Sequence, residues 1–330
     1  MQKLRWGVLS SAKIGRTKVI PAIQSSLFGE VVAIASRTQA GANEAAKELG
    51  IKHAYASYEA LLADPNIDAI YNPLPNHLHV PWSINAIKAG KHVLCEKPLG
   101  LNVADVEKLI AVAQEHPHLK VMEAFMYRFH PQWQTAKNIV REGTIGQVRS
   151  IHSHFAYSNH ELDNIRNIPE WGGGALMDIG CYCISLARFI YDEEPLRVLG
   201  QITPYAGFDV DCFVSGILEF ADGNATFTAS TKSEAEQYVE IHGEHGSILI
   251  SLPFNPVADT ITKIILKCDG VSQKIVQTPS DHYRNMADAF ADSITNTSPV
   301  PTPLSDALAN MKIVDAIFAS AFDGHWISID

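Results

Sequence analysis

Two stretches of this sequence carry side chains suited to chemistry on an alcohol or a carbonyl. The first is Gly90-Lys91-His92-Val93-Leu94-Cys95-Glu96-Lys97-Pro98, in which Glu-Lys-Pro follows a short apolar run. A lysine at the end of a strand can reach a substrate hydroxyl, and Pro98 fixes the backbone just after it. The position suits a cis bond, a frequent device of tight turns. The second stretch is Trp171-Gly172-Gly173-Gly174-Ala175-Leu176-Met177-Asp178-Ile179-Gly180-Cys181-Tyr182. Asp178 and Tyr182 stand four apart, so on a helix they share a face, with Ile179, Leu186 and Ile190 packing the other side. A third motif, Asn72-Pro73-Leu74-Pro75-Asn76-His77-Leu78-His79, directly follows a strand. Taken singly, each has a plain structural explanation as a surface turn or a half-buried pair. Together, behind repeated βα units, they point to a site.

The elements that must position these groups fall into two regions. Residues 1–124 alternate short apolar strands with amphipathic helices. Strands are expected at 6–9, 31–36, 53–56, 69–72, 92–96 and 120–124. Helices are expected at 14–25, 40–49, 58–63, 81–89 and 103–115. Pro21 kinks the first helix or makes it start late, Ser57 and Asn102 are N-caps, and Gly50 closes a helix. This rhythm predicts a doubly wound parallel sheet, an α/β Rossmann domain that binds ligands beyond its strand ends.

After residue 125 the pattern changes. Helices at 133–142 and 178–191 flank a strand at 148–155, and seven strands follow between 198 and 277. This predicts an α+β domain, residues 125–302, with a large, open, mostly antiparallel sheet. That domain is expected to bind substrate and to form a homodimer or larger assembly through an apolar open face. Helices at 283–294 and 305–322 end the chain, and the segment at about 303–322 is expected to pack back on the first domain.

The loop Gly7-Val8-Leu9-Ser10-Ser11-Ala12-Lys13-Ile14-Gly15 sits where a dinucleotide fold places G-x-G-x-x-G. Ser10 and Ala12 replace the first two glycines and only Gly15 remains, so the loop alone is as consistent with a plain βα turn. Ser10, Ala12, Lys13 and Ile14 are the candidate pyrophosphate contacts. The second strand ends in Ser36-Arg37-Thr38 with no carboxylate nearby. A guanidinium pairs with a phosphate, which favours NADP over NAD. Leu74, Asn76, His79, Glu96 and Lys97 are the candidate contacts on the reactive side of the cofactor.

With these motifs in view, the chain resembles the Gfo/Idh/MocA oxidoreductase family over nearly its whole length. Glu96-Lys97-Pro98 and the Gly-Gly-Gly…Asp178…Tyr182 segment carry the likeness. Glu123-Ala-Phe-Met-Tyr-Arg-Phe-His-Pro131 resembles the family's domain junction. The resemblance implies that Lys97 is catalytic, that Asp178 orients substrate and that Tyr182 donates or accepts the proton. Tyrosine at that position fits the sugar and dihydrodiol branch rather than the inositol branch, and the altered glycine loop departs from the family pattern. The chemistry is consistent with those roles. A tyrosine with a pKa near about 10 is a poor base at neutral pH, and an ammonium such as Lys97 lowers it. Tyr182 is then general base in oxidation and general acid in reduction, while Lys97 polarises the reacting oxygen.

Arg166, Trp171 and Tyr283 are further candidates for the substrate side, although a surface ion pair and a buried aromatic explain the first two equally well. His152 and His154 share one strand face and precede His160-Glu161, and they read as solvated histidines rather than metal ligands. The expectation is no metal site. Composition narrows the rest. The 330 residues are 46% hydrophobic and 19% charged, as in a globular protein, and the net charge of −10 disfavours nucleic acid and anionic membranes as partners. No apolar run is expected to approach the roughly 20 residues that span a bilayer. The leading segment Met1-Gln2-Lys3-Leu4-Arg5-Trp6 lacks signal-peptide features. Five cysteines without zinc-type spacing read as free thiols, which favours the cytoplasm. The leading expectation is an NADP-dependent oxidoreductase of a small polyhydroxy substrate. A non-catalytic cofactor sensor and a redox-assisted lyase or glycosidase are the alternatives.

Overall fold

The computed structural model describes residues 3–329; Met1 and Gln2 of the leading segment, and Asp330, lie outside the described residues. The chain divides into two compact units. One is the run up to Met126 together with Asp281–Leu308, and the other is Tyr127–Ser280 with the chain from Ala309 onward.

The first unit is built on six strands: β1 (Leu4–Leu9), β2 (Gly29–Ala35), β3 (His53–Tyr55), β4 (Ala69–Asn72), β5 (His92–Cys95) and β6 (Val121–Glu123). They lie in the order 3-2-1-4-5-6, with every pair parallel. A parallel sheet is covered on both faces, so its strands are continuous apolar runs. Val31, Val32, Ala33, Ile34 and Ala35 are accordingly all buried. The connecting helices are α1 (Ile20–Gln24), α2 (Gln39–Leu49), α3 (Tyr58–Leu62), α4 (His79–Lys88) and α5 (Val103–Glu115). Ser57 and Asn102 cap α3 and α5 through their side chains, and Gly50 closes α2 at φ 67°. The single helix expected at 14–25 is instead a π-type turn, Gly15–Val19, followed by α1 with Pro21 in its first turn. Proline is tolerated there because first-turn N–H groups have no partner within the helix.

The second unit opens with α6 (Pro131–Arg141), β7 (Val148–Ser158) and α7 (Cys181–Tyr191). Strands β8 (Arg197–Thr203), β9 (Phe213–Glu219), β10 (Asn224–Ser230), β11 (Lys232–Gly243), β12 (Gly246–Ile250), β13 (Thr262–Cys268) and β14 (Val271–Gln277) follow. The chain ends in α8 (His282–Thr295), α9 (Leu304–Asp323) and a short β15 (Ile327–Ser328). The sheet has nine strands in the order 14-13-12-11-7-10-9-8-15. It is antiparallel except for the β7–β10 pair.

Three expectations about this half need correction. The first unit takes in all of α8 but only the start of the segment at 303–322, up to Leu308. Asp288 of α8 accepts a hydrogen bond from Ser26, and Phe290 stacks near Trp6 with ring centroids 5.6 Å apart. The later part of α9 belongs to the second unit, where Ile317 lies against Gly200 and Gly216. The division therefore falls inside α9 rather than at residue 302. The uncovered sheet face is also not apolar. It bears His152, His154, Gln201, Thr226, Tyr238 and Glu240 around a groove of about 530 Å³. There His152 bonds Thr226 and the His154 ring stacks on Tyr238. Finally, the helical stretch Pro169–Tyr191 is long and apolar enough to cross a membrane, against the expectation that no run is. The fold buries 83% of its most apolar window, which makes it a core helix.

Candidate active site

In the first unit, the ends of β4 and β5 are tied together before any reactive group is placed. Asn72 is fully buried. Its amide donates to the His79 carbonyl (3.0 Å) and to Ser83 Oγ (3.2 Å), and its Oδ1 accepts from the Leu74 N–H. The Glu96 N–H donates to the Asn72 carbonyl (3.0 Å). One step beyond, the His79 ring bridges two loops. Nδ1 lies 2.7 Å from the Pro98 carbonyl and Nε2 lies 2.7 Å from the Leu74 carbonyl. The Leu99 N–H donates to Glu123 Oε1 (2.8 Å). Lys97 thus sits in a turn anchored at 96, 98 and 99, and its bond to Pro98 is cis, as the sequence suggested.

This geometry gives three of the expected residues partners of their own. His79 is 1% exposed and both ring nitrogens face backbone carbonyls, so it braces the turn rather than presenting its ring to a cofactor. Burial lowers its pKa to about 4, against the pull of the two carbonyls, so the ring is neutral near pH 7 and its single N–H donates to one of the two carbonyls. Glu96 accepts a hydrogen bond from the buried Tyr71 hydroxyl (2.7 Å). Tyr283, carried by α8 in this unit, feels the same carboxylate; burial first, then Glu96 and Asp281, raise its pKa.

The first loop keeps a glycine-like shape without the glycine. Ser10 adopts φ 93°, a left-handed conformation that favours glycine, and its Oγ accepts from the Ala12 N–H (3.0 Å). A hydroxyl that accepts one bond still has its own O–H to donate. Ala12 and Ile14 are half-buried and Lys13 is exposed. At the end of β2, Thr38 caps α2 by accepting from the Gly41 N–H (3.2 Å). A side chain at Gly41 would stand 3.1 Å from Ser36 Oγ, so Ser36 lies against the amino end of that helix. Arg37 is exposed and near Tyr58, whose phenol pKa is raised by burial with the Arg37 charge opposing.

In the second unit, Asp178 lies in a π-type turn, Leu176–Gly180, that leads directly into α7. A single helix was expected from Asp178. Asp178 Oδ2 accepts from the Tyr157 hydroxyl (2.5 Å) and from Arg166 Nε (3.0 Å). Arg166 is therefore both an ion pair and part of the candidate site. Asp178 raises its pKa most, and Tyr157 and Tyr182 act in the same direction. Burial and Asp178 hold the Tyr157 phenol far above the ordinary range. Tyr182 is 5% exposed, with Phe254, Phe155 and Tyr127 rings at centroid distances of 5.4, 5.8 and 5.9 Å. Phe155 and Tyr157 are two apart on β7 and so point to one face. Asp178 and Tyr182 come down together on that face, despite the π turn between them. Trp171 remains at the surface, 36% exposed.

Tyr157 is the residue that sequence reasoning missed. Expected strand 148–155 stopped short of it, yet the alternation Ile151, Ser153, Phe155, Tyr157 was a usable signal for the inward face of β7.

Two family models cover most of the chain. Residues 4–125 match an oxidoreductase family with an NAD-binding Rossmann fold, and residues 133–249 match the GFO/IDH/MocA C-terminal domain. The chain belongs to the Gfo/Idh/MocA oxidoreductase family. A D-xylose 1-dehydrogenase (NADP(+)) of Haloferax volcanii is 38% identical over 331 residues, covering 99% of this chain and 100% of that one. A trans-1,2-dihydrobenzene-1,2-diol dehydrogenase of Mus musculus is 32% identical over 258 residues, covering 77% and 76%. A 3-ketoreductase from Actinomadura kijaniata, solved with NADP and TDP-benzene, matches with a TM-score of 0.91 at 30% identity, covering 97% of this chain and 98% of that one. This family member thus has relatives on both the sugar and the dihydrodiol side.

Proposed function

We propose that this protein is an NADP-dependent oxidoreductase that oxidises the CH–OH group of a sugar (an aldose) or of a trans-dihydrodiol. One observation carries the reading: Asp178 is held by Arg166 and Tyr157 on the same strand face where Tyr182 is enclosed by three aromatic rings. A phenol in dry surroundings beside a cation is a suitable acid–base group, because positive charge favours the phenolate. Tyr182 Oη accepts the proton from the alcohol oxygen in oxidation and returns it in reduction. Lys97 donates a hydrogen bond to the reacting oxygen and stabilises charge that develops there. Asp178 orients a neighbouring hydroxyl, and Arg166, Trp171 and Tyr283 are the further candidates around substrate.

The residues present fit NADP. Ser36 and Thr38 lie at the amino end of α2 beside the exposed Arg37, a setting that favours a phosphate on the ribose. Ser10, Ala12, Lys13 and Ile14 would hold the pyrophosphate, and Leu74, Asn76, Glu96 and Lys97 the nicotinamide half. His79 supports that half through the turn it braces. Held there, NADP would supply the hydride acceptor for the substrate carbon. The NADP-dependent xylose dehydrogenase relative and the NADP-containing ketoreductase structure support this choice.

We also place the protein in the cytoplasm, consistent with its free cysteines, and propose a homodimer joined through the polar sheet face. A monomeric mass by light scattering at micromolar concentration would count against the dimer.

The enzymatic test is NADPH formation, followed by absorbance, over a panel of aldoses and dihydrodiols. Turnover that Lys97→Ala and Tyr182→Phe both abolish supports the assignment. Tight NADP binding with no turnover on any member of the panel would favour a sensor, and product without net NADPH a lyase or glycosidase.

A further inference from the structure

The glycine run ahead of Asp178 packs against a residue that none of the motifs singled out. Asp211, in the loop before β9, receives two successive amides: its carbonyl accepts from the Ala175 N–H (2.6 Å) and its Oδ2 from the Leu176 N–H (2.6 Å). Those amides open the π turn that carries Asp178. Gly174, at φ 116°, lies flat against the same carboxyl, and a Cβ there would be 1.9 Å from Asp211 Oδ1. On its other side the run touches Arg166. The Gly174 N–H donates to the Arg166 carbonyl (2.9 Å), and a Cβ at Gly173 would be 2.6 Å from that oxygen. Asp211, the glycine run and Arg166 are thus stacked in direct contact, and the Arg166 side chain then reaches Asp178.

A second anchor holds the far end of the same loop. The Lys232 ammonium donates to the Asn159 carbonyl and to Asn167 Oδ1 (2.8 Å), and it lies 3.7 Å over the Phe208 ring. The two anchors are themselves joined, because the Thr231 N–H donates to the Cys212 carbonyl (3.1 Å). The loop 159–175 is therefore fixed at both ends by one pair of neighbouring segments.

We propose that Asp211 is a positioning residue: by binding the Ala175 and Leu176 amides it sets the start of the Asp178–Tyr182 helix and, through the glycine run, the place of Arg166. This rests on the reading of Asp178 and Tyr182 given above. The carboxylate satisfies a helix-start amide that has no partner within the helix, and the glycines allow it to approach. Removing it frees the Leu176 amide, so that the amino end of the helix, left with the backbone bond at Ala175, can shift. Displacements of this order at a site lower turnover and weaken substrate binding together.

The test uses the full-length protein with NADP and its best substrate from the panel. Asp211→Ala should raise the substrate KM at least about fivefold and lower kcat about tenfold, leaving the KM for NADP within about twofold. Asp211→Asn, whose side-chain oxygen can still accept from Leu176, should restore both to within about threefold of wild type. A purely structural role would reduce only the fraction of active protein, so a lower kcat with both KM values unchanged overturns the proposal. So do wild-type kinetics. Should Asp211→Ala fail to fold, Asp211→Ser replaces it, since its shorter side chain cannot reach Leu176 in the same way; the same results decide. Asp178→Ala and Tyr182→Phe are measured in parallel. Full activity in those variants sinks the reading of the site itself, whereas their loss beside an unaffected Asp211→Ala removes only the role of Asp211.

Discussion

The two units hold the side chains proposed to do the chemistry by different means. Around Lys97 the bonds run mostly to backbone groups: Glu96 to the Asn72 carbonyl, the His79 ring to the Leu74 and Pro98 carbonyls, Leu99 to Glu123. Around Asp178 they run between side chains, with Arg166 and Tyr157 converging on one carboxylate oxygen and three rings closing on Tyr182. A turn tied through its backbone is insensitive to its own side chains but depends on a buried ring keeping one protonation state. A side-chain cluster responds to the loss of any member, and its members act as a unit.

The largest expected effect tests the second arrangement. Tyr182→Phe keeps the packed ring and removes the hydroxyl proposed as acid and base, so kcat should fall by about 10²–10⁴ with NADP binding intact. Rates near wild type would show that the ring is only packing. Next, Asp178→Asn and Arg166→Ala should each lower kcat/KM about 10–100-fold, and the double variant should be no worse than the poorer single one. Fully additive losses in the double variant would show that the two side chains work separately.

A smaller effect separates the units by pH. His79 binds its proton near 4 when folded against an ordinary 6.5. Its contribution is therefore present above 6.5 and is lost as pH falls toward 4, by up to about 3 kcal/mol. His130, buried in the second unit, acts in the same direction. Asp211 acts oppositely: burial pushes its carboxyl up to about 7, so its contribution is present below the ordinary 3.8 and fades as pH rises through 7. Denaturant midpoints between pH 4 and 8 should fall on the acid side in wild type and less so in His79→Gln. Asp211→Asn should gain on wild type as pH rises. Parallel curves for all three proteins would refute both assignments. The smallest change is at the cofactor end. Arg37→Ala should raise the KM for NADP about tenfold while leaving that for NAD and for substrate within about twofold. Equal increases for both cofactors would mean that the ribose phosphate is not read there.

The first unit was the more legible. Strand 69–72 and helix 103–115 match their expected bounds residue for residue, because doubly covered strands are plain apolar runs and the caps Ser57 and Asn102 are local signals. The second unit was harder to read. β11 begins at Lys232, six positions before the expected start, and a register shift between Lys232 and Glu236 breaks its alternation. β7 runs past Phe155 to Ser158, which is how Tyr157 escaped notice. The uncovered face was expected to be apolar, yet histidine, threonine and glutamate side chains cover it.

From sequence alone come the order of the main strands and helices, the candidate residue types and the shared face of Asp178 and Tyr182. These depend on periodicity, caps and turn residues, which act over a few neighbouring positions. Only the tertiary structure decided that α8 and just the start of α9 join the first unit, that His79 closes on Pro98, and that Tyr157 and Arg166 meet on one oxygen of Asp178. Those are contacts between residues distant along the chain, and packing selects them among many partners that the same local pattern would allow.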